Sequence, residues 1–281
     1  MNLELVRTRT EDNVRLDGAL RRSNRSPGDL PADLVIIVHG TGGNFYAPGI
    51  LEHLATRLPE LGTPTLRVNT RGHDGLSGGD GGAALEQIDD CRLDLQAWMT
   101  WATEHLGPRV LLLGHSMGGV KAIYATAHQA VQPVGIVAVS PPRFSHRQFQ
   151  EHPDAEAFRE DFQAASGWVS QGHGDQLIRV RQPLPMWIRA EGFVEKYGPE
   201  DRYDIARLLP RVDVPVLVLV GSETVSRSPA FHDLPDHLAT LDLPPSRLEV
   251  IEVPGGDMHY THDPDSPLRY ISTWGQSLNS E

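Results

Sequence analysis

Four short stretches of this chain are too uniformly apolar to belong to strands with one wet face. They are LVIIVHG (34–40), RVLLLGHS (109–116), VGIVAVS (134–140) and VPVLVLVG (214–221). A strand that exposes one face alternates apolar and polar residues. A strand covered on both faces has no reason to, and reads as a continuous β-branched run. RLEVIEVPG (247–255) is similar but alternates more, and TLRVNTRG (65–72) is a further member. LELVRTRT (3–10) and VRLDGALRR (14–22) do alternate, and read as half-buried strands.

Helical patterns separate these runs. Leu51, Leu54, Leu58 and Leu61 recur at spacings of three and four, as do Ile88, Cys91, Leu95, Trp98 and Ala102 within 83–106. A helix is predicted over 117–130, directly after the 109–116 run, and another over 267–278, with Leu268, Ile271, Trp274 and Leu278 on one face. Strand then helix, repeated from residue 34 onward, implies right-handed crossovers and a mostly parallel sheet flanked by helices. The alternation breaks over 143–210. That block has no clear buried strand, yet it holds Phe144, Phe149, Phe158, Phe162, Phe193, Trp168, Trp187, Tyr197 and Tyr203. It reads as a helical cap inserted into a core made of 1–142 and 211–281. Its aromatics serve either as the insertion's own small core or as the lining of an apolar pocket.

Charge and composition exclude several functions. The chain carries 25 Lys and Arg against 37 Asp and Glu, a net −12, which argues against a nucleic-acid or anionic-membrane partner. A single cysteine, Cys91, rules out an internal disulfide framework and a multi-thiolate metal site. The start has no basic-then-apolar leader pattern, and no apolar run approaches the length of a membrane span. The expectation is a cytoplasmic protein with no cofactor and no metal. The thirteen histidines include no H-E-x-x-H pattern. The Gly-rich segment 75–82 does not fit G-x-G-x-x-G and reads as a mobile loop. The segment from Gly114 to Lys121 misses a phosphate loop, because Lys121 comes one residue late and Ala122 stands where a hydroxyl would hold magnesium. Lys121 is then read as a surface residue of the following helix, and Cys91 as a buried small hydrophobe.

The sharpest chemical signal is Gly114-His115-Ser116-Met117-Gly118-Gly119, placed between a buried strand and a helix. A serine on so tight a strand-to-helix turn is pushed out above the sheet, at a helix N-terminus whose N–H groups can hold developing negative charge. The turn needs tiny residues two before and two after the serine, and Gly114 and Gly118 supply them.

These features, from about residue 3 to 278, resemble the α/β-hydrolase-fold serine hydrolases (esterases, lipases and thioesterases). Three further segments carry the likeness: His39-Gly40-Thr41-Gly42-Gly43 resembles the oxyanion loop, Asn69-Thr70-Arg71-Gly72-His73 the turn after the next strand, and Pro254-Gly255-Gly256-Asp257-Met258-His259 the late histidine loop. The resemblance implies Ser116 as nucleophile, His259 as base with His262 as its rival, and the N–H groups of Thr41 and Met117 as an oxyanion hole. His39, His115 and His73 are then expected to shape turns. Serine at the elbow argues against the branches that use aspartate there.

The acid departs from the family pattern. The expected position is Thr224, which cannot stabilise an imidazolium as a carboxylate does. Its neighbour Glu223 is the first candidate, with Asp257 and Asp233 behind it, and the alternative site after the preceding strand offers only Ser140-Pro141-Pro142. The implied function is hydrolysis of a carboxylic ester, or a related acyl bond of a small molecule, through an acyl-enzyme. A thioesterase docking a carrier on Arg143, Arg147, Arg179 and Arg181 is a second reading, and a non-catalytic binding module a third. Tyr46, Phe45 and Tyr260 are expected near the catalytic loops.

Overall fold

The computed structural model describes residues 3–25, 28–76 and 81–279. Among the described residues, ten strands run in chain order as β1 (Leu3–Arg9), β2 (Arg15–Arg21), β3 (Leu34–Val38), β4 (Thr65–Val68), β5 (Val110–His115), β6 (Gly135–Val139), β7 (Leu177–Val180), β8 (Met186–Arg189), β9 (Val216–Gly221) and β10 (Leu248–Val253). Eight of them form one sheet in the order β1-β2-β4-β3-β5-β6-β9-β10. From β4 to β10 neighbours are parallel, whereas β2 is antiparallel to both β1 and β4. This is the α/β-hydrolase fold that the resemblance implies, and its mostly parallel sheet is the one that the alternating runs and helices predict.

The uniform runs are uniform because each strand is covered twice. Along β3, Leu34, Ile36 and Val38 pack into one hydrophobic layer while Val35 and Ile37 pack into another across the sheet. Helices α2 (Cys91–His105) and α3 (Met117–Ala127) close the first layer, and α1 (Ile50–Glu60) and α10 (Ser266–Leu278) close the second. β1 is the exception to its alternating pattern. It lies at the sheet edge, with Leu3 and Leu5 exposed.

Between β6 and β9 the chain leaves the sheet. It forms α4 (His146–Glu151), α5 (Glu156–Ser170), the β7-β8 hairpin, α6 (Ala190–Tyr197) and α7 (Ile205–Leu208). The hairpin departs from the expectation of short helices alone. Its two strands are only four residues each and carry too few positions to show a period. Phe149, Phe158, Phe162, Phe193 and Tyr197 stack on one another here, with centroid separations from 4.6 to 6.3 Å. After β9 come α8 (Ser222–Arg227) and α9 (Leu234–Ala239).

Two sequence expectations are corrected. The helix read over 83–106 begins only at Cys91, after a single tight turn at Ile88–Asp90. Its first part is held otherwise: the N–H groups of Gly82 and Ala83 donate to the carbonyls of Arg71 and Asp74, both at 2.9 Å, and Glu86 turns inward. Lys121 is not a surface residue. It is fully buried on α3 and pairs with Glu86, its ammonium also donating to Thr70 Oγ1 at 3.1 Å. The expected mobile loop at 75–82 lies partly outside the described residues, at 77–80.

A buried charge left without its partner is strongly destabilising, whereas replacing the whole pair is much less so. Lys121→Met is therefore expected to lower unfolding free energy by about 3–5 kcal/mol, read from denaturant titration. Lys121→Met with Glu86→Leu is expected to recover most of that loss. A single-variant loss below about 1 kcal/mol would show that the pair does not hold these segments together.

Candidate active site

Ser116 stands between the end of β5 and the start of α3 with φ 54° and ψ −125°, a backbone conformation that L side chains rarely adopt. The absent side chains nearby explain why the turn can form. A methyl at Gly114 would overlap the backbone of Gly118, and one at Gly118 would overlap the carbonyls of Val38 and His39. The elbow is thus wedged between its own helix and the end of β3. Ser116 N–H donates to Val139 O at 2.9 Å, which fixes the turn to β6 as well.

The HGTGG loop lies directly against this turn, since a methyl at Gly40 would sit 3.0 Å from Ser116 Cβ. His39 anchors it from below. Its Nδ1–H donates to Gly40 O at 2.8 Å and its Nε2 accepts from Thr70 N–H at 3.1 Å, which fixes the neutral tautomer. Burial, helped by the nearby Lys121 charge, lowers the ring's pKa to about 3. His39 is buried, and both of its ring nitrogens are engaged by backbone groups. Asp74 ties the loop from outside, accepting from Asn44 Nδ2 at 2.7 Å, Tyr46 Oη at 2.8 Å and His73 Nδ1 at 2.8 Å. Met117 N–H is the first of α3, so it has no acceptor within the helix. Met117 follows Ser116 directly in the chain, and Thr41 lines the same pocket as Ser116.

The late loop is brought to the elbow by His115. Its buried Nε2–H donates to Met258 O at 2.9 Å, and its ring centroid lies 5.2 Å from that of His259. Burial holds the His115 ring neutral, with a pKa lowered to about 4. Backbone packing fixes the same loop to the end of β9: Glu223 N–H donates to Gly256 O at 3.0 Å, and a side chain at Gly221 would overlap Gly256. His259 and Ser116 line one cavity together with His39, Gly40, Thr41 and Met258. The His259 ring is solvent-exposed, and so is His262.

The carboxylate candidates separate. Glu223 lines the pocket of Ser116, yet its carboxylate is paired with Arg227 at 3.0 Å one helical turn away. Asp257 lines the same pocket, and its Oδ1 accepts from the N–H groups of His259 at 3.0 Å and Thr261 at 2.9 Å. Neither carboxylate hydrogen-bonds the His259 ring among the described residues. Desolvation opposes it, but hydrogen bonds from the Thr261 backbone and side chain and the His259 N–H, with the nearby imidazole, hold the Asp257 carboxyl below its ordinary range. Asp233 is exposed, faces His232 at 3.1 Å, and lines a different cavity. Thr224 is buried on the pocket wall with its hydroxyl unpartnered.

A second pocket lined by Ser116 measures about 360 Å³. Phe144, Tyr197, Pro142, Leu184 and Phe231 supply much of its apolar wall, so the aromatics of the insertion divide between its own core and this pocket. Lys196 from α6 also reaches in, a residue that the sequence pattern does not single out. Phe45 and Tyr46 line a separate groove near β1 and β2 instead, and Tyr260 is buried beneath the late loop, accepting from Ser140 Oγ at 3.3 Å. Three of the four arginines read as a docking patch are engaged by carboxylates: Arg143 by Asp204, Arg147 by Glu151, and Arg181 by Glu160 and Asp161. No group of three or more potential metal ligands is positioned to hold an ion, and no helix is long and apolar enough to cross a membrane, among the described residues.

Comparison with known proteins places these features in context. Residues 29–198 match the family model described as serine aminopeptidase, S33. No curated protein matches the chain. Among solved structures, an α/β hydrolase from Penicillium, GrgF, is 16% identical over 99% of both chains with a TM-score of 0.72. The esterase Est1E from Butyrivibrio proteoclasticus is 15% identical over 96% of both chains, with a TM-score of 0.63. An esterase from Pyrococcus furiosus is 19% identical over 99% of this chain and 91% of its own, at 0.59. At these identities the likeness is one of fold.

His39 and His115 are neutral when folded but protonate in the unfolded chain near its ordinary value of about 6.5. Unfolding therefore takes up protons below that value. Stability contributed by the two rings is complete above pH 6.5 and is lost as the pH falls towards about 4 for His115 and about 3 for His39. Over that window each ring is expected to contribute a slope of about 1.4 kcal/mol per pH unit. The slope is read from denaturant titrations at stepped pH on wild type, His39→Gln and His115→Gln. Slopes unchanged by either substitution would show that the rings titrate normally.

Proposed function

The chain belongs to the serine aminopeptidase S33 family of α/β hydrolases, and from that premise we propose that it hydrolyses a carboxylic ester, or a related acyl bond of a small molecule, through an acyl-enzyme formed on Ser116. The observation that carries this reading is the strained serine at the head of α3, facing both the HGTGG loop and the late histidine loop across one cavity.

Ser116 Oγ attacks the carbonyl carbon as His259 takes the hydroxyl proton. The carbonyl oxygen becomes an oxyanion and is held by the N–H groups of Thr41 and Met117. These donors are fixed before substrate arrives, so little reorganisation is needed as charge develops. His259 then returns the proton to the leaving alcohol. Water, activated by the same ring, hydrolyses the acyl-enzyme.

Glu223 is the proposed orienting acid. Its support is the hydrogen bond between its own N–H and Gly256 O, which keeps its helix against the late loop that carries His259. To serve His259 the carboxylate must exchange its Arg227 partner for the ring. Asp257 is the competing carboxylate, already bonded to the His259 backbone. The segment 143–210 acts as the cap that closes the pocket, supported by Phe144, Pro183, Leu184, Lys196 and Tyr197 lining it. The pairing of Arg143, Arg147 and Arg181 with carboxylates leaves the carrier-docking thioesterase reading with little support.

A fluorophosphonate probe followed by intact mass is expected to label wild type once and Ser116→Ala not at all. Absence of labelling on folded wild type would refute the mechanism. With 4-nitrophenyl esters of rising chain length, Ser116→Ala is expected to lower kcat by about four orders of magnitude or more. Glu223→Gln is expected to lower it by about 10²–10⁴-fold, and Asp257→Asn by much less. The reverse order would transfer the acid's role to Asp257.

A further inference from the structure

Lys196 is a cation sealed in the pocket wall. Its residue is 4% exposed, and its ammonium has no carboxylate within ion-pair distance among the described residues. Its hydrogen-bond partner is the Thr41 hydroxyl, at a long 3.4 Å, and it lies 5.2 Å from the ring centroids of both Phe144 and Tyr197. The contrast within the same protein is Lys121, equally buried and held by Glu86. A buried ammonium is normally paired, because loss of hydration is otherwise uncompensated. Two aromatic faces and one hydroxyl make up only part of that loss. Burial accordingly lowers the Lys196 pKa to about 8.

The ammonium and Ser116 line the same cavity of about 360 Å³. On the hydrolase reading above, on which this inference rests, the carbonyl under attack sits at Ser116. We propose that Lys196 is an anion subsite of this pocket, and that the substrate is an acyl compound bearing a free carboxylate. The remaining wall, from Pro142, Leu184, Phe231 and Met258, is apolar and suits the methylenes between the two groups. Thr41 relates the two ends: its hydroxyl accepts from Lys196 Nζ at 3.4 Å, and on the same hydrolase reading its N–H holds the oxyanion. With ordinary hydrogen-bond lengths at both ends, the carboxylate falls about two to four carbons from the carbonyl. The substrate class is then a half-ester of a short dicarboxylic acid. The rings of Phe144 and Tyr197 hold the empty site's charge, and the carboxylate replaces the weak Thr41 contact with a charge-assisted bond.

Monoethyl glutarate and ethyl valerate, of similar shape but different charge, test this by pH-stat at pH 7. Wild type is expected to favour the anionic ester in kcat/KM by about tenfold or more, an arm that needs no variant. Lys196→Met is expected to bring that preference to about one or below, and Lys196→Arg to retain part of it. No preference in wild type, or a preference that survives Lys196→Met, overturns the proposal. If neither ester is hydrolysed and the fluorophosphonate probe fails, the hydrolase reading fails on its own account. Calorimetric binding of glutarate to Ser116→Ala, with and without Lys196→Met, then decides the subsite. Binding lost with Lys196 supports it, and binding that is absent, or indifferent to Lys196, refutes it.

Discussion

A buried ion pair underlies the arrangement of the site. Lys121 on α3 holds Glu86 from the segment before α2, and also Thr70 from the turn after β4. Thr70 in turn donates to His39, and His39 to Gly40 of the loop against Ser116. Three separate connections are joined to the helix that follows Ser116 through a short chain of polar contacts inside the apolar layers. Gly72 belongs to the same device, because any side chain there would collide with the Glu86 carboxylate. Water cannot substitute for these contacts at such depth, so each member constrains the next.

Most of the fold was legible in the sequence, and for a definite reason. A strand covered on two faces must be apolar at every position, so β3, β5, β6 and β9 announce themselves without alignment. The elbow was legible for an equally physical reason: only glycine fits at 114 and 118, where backbone meets backbone. What escaped was tertiary. Lys121 sits on an ordinary helical position, and nothing local tells that its partner lies 35 residues earlier in the chain. The truncated helix before Cys91 follows from that same partner, since Glu86 must turn inward. The β7-β8 hairpin and Lys196 fall where short elements and prolines leave no period to read.

The candidate site was legible in its types but not in its pairings. Ser116, Thr41, Met117 and His259 were singled out by motif, and the segments bearing Ser116, Thr41 and His259 line one cavity. The acid could not be read in the same way. A carboxylate's role depends on which cation lies within reach of a flexible side chain, and α8 puts Arg227 one turn from Glu223. Histidines sort by burial instead. His39 and His115 are sealed and neutral and act as struts, whereas His259 presents its ring to solvent. Sequence gives all three the same letter, and only depth separates the two buried struts from the ring left open to solvent.

The strut from His115 to Met258 spans 143 residues of chain. The elbow can form as soon as β3, β5 and β6 have paired, but the late loop reaches it only after β10 has docked on β9 at the sheet's far edge. Assembly of the centre is therefore ordered in time as well as space. Until that strand docks, Ser116 can stand on its helix with His259 still absent from its side. The topology makes the closing of the last strand the event that brings the two halves of the site together.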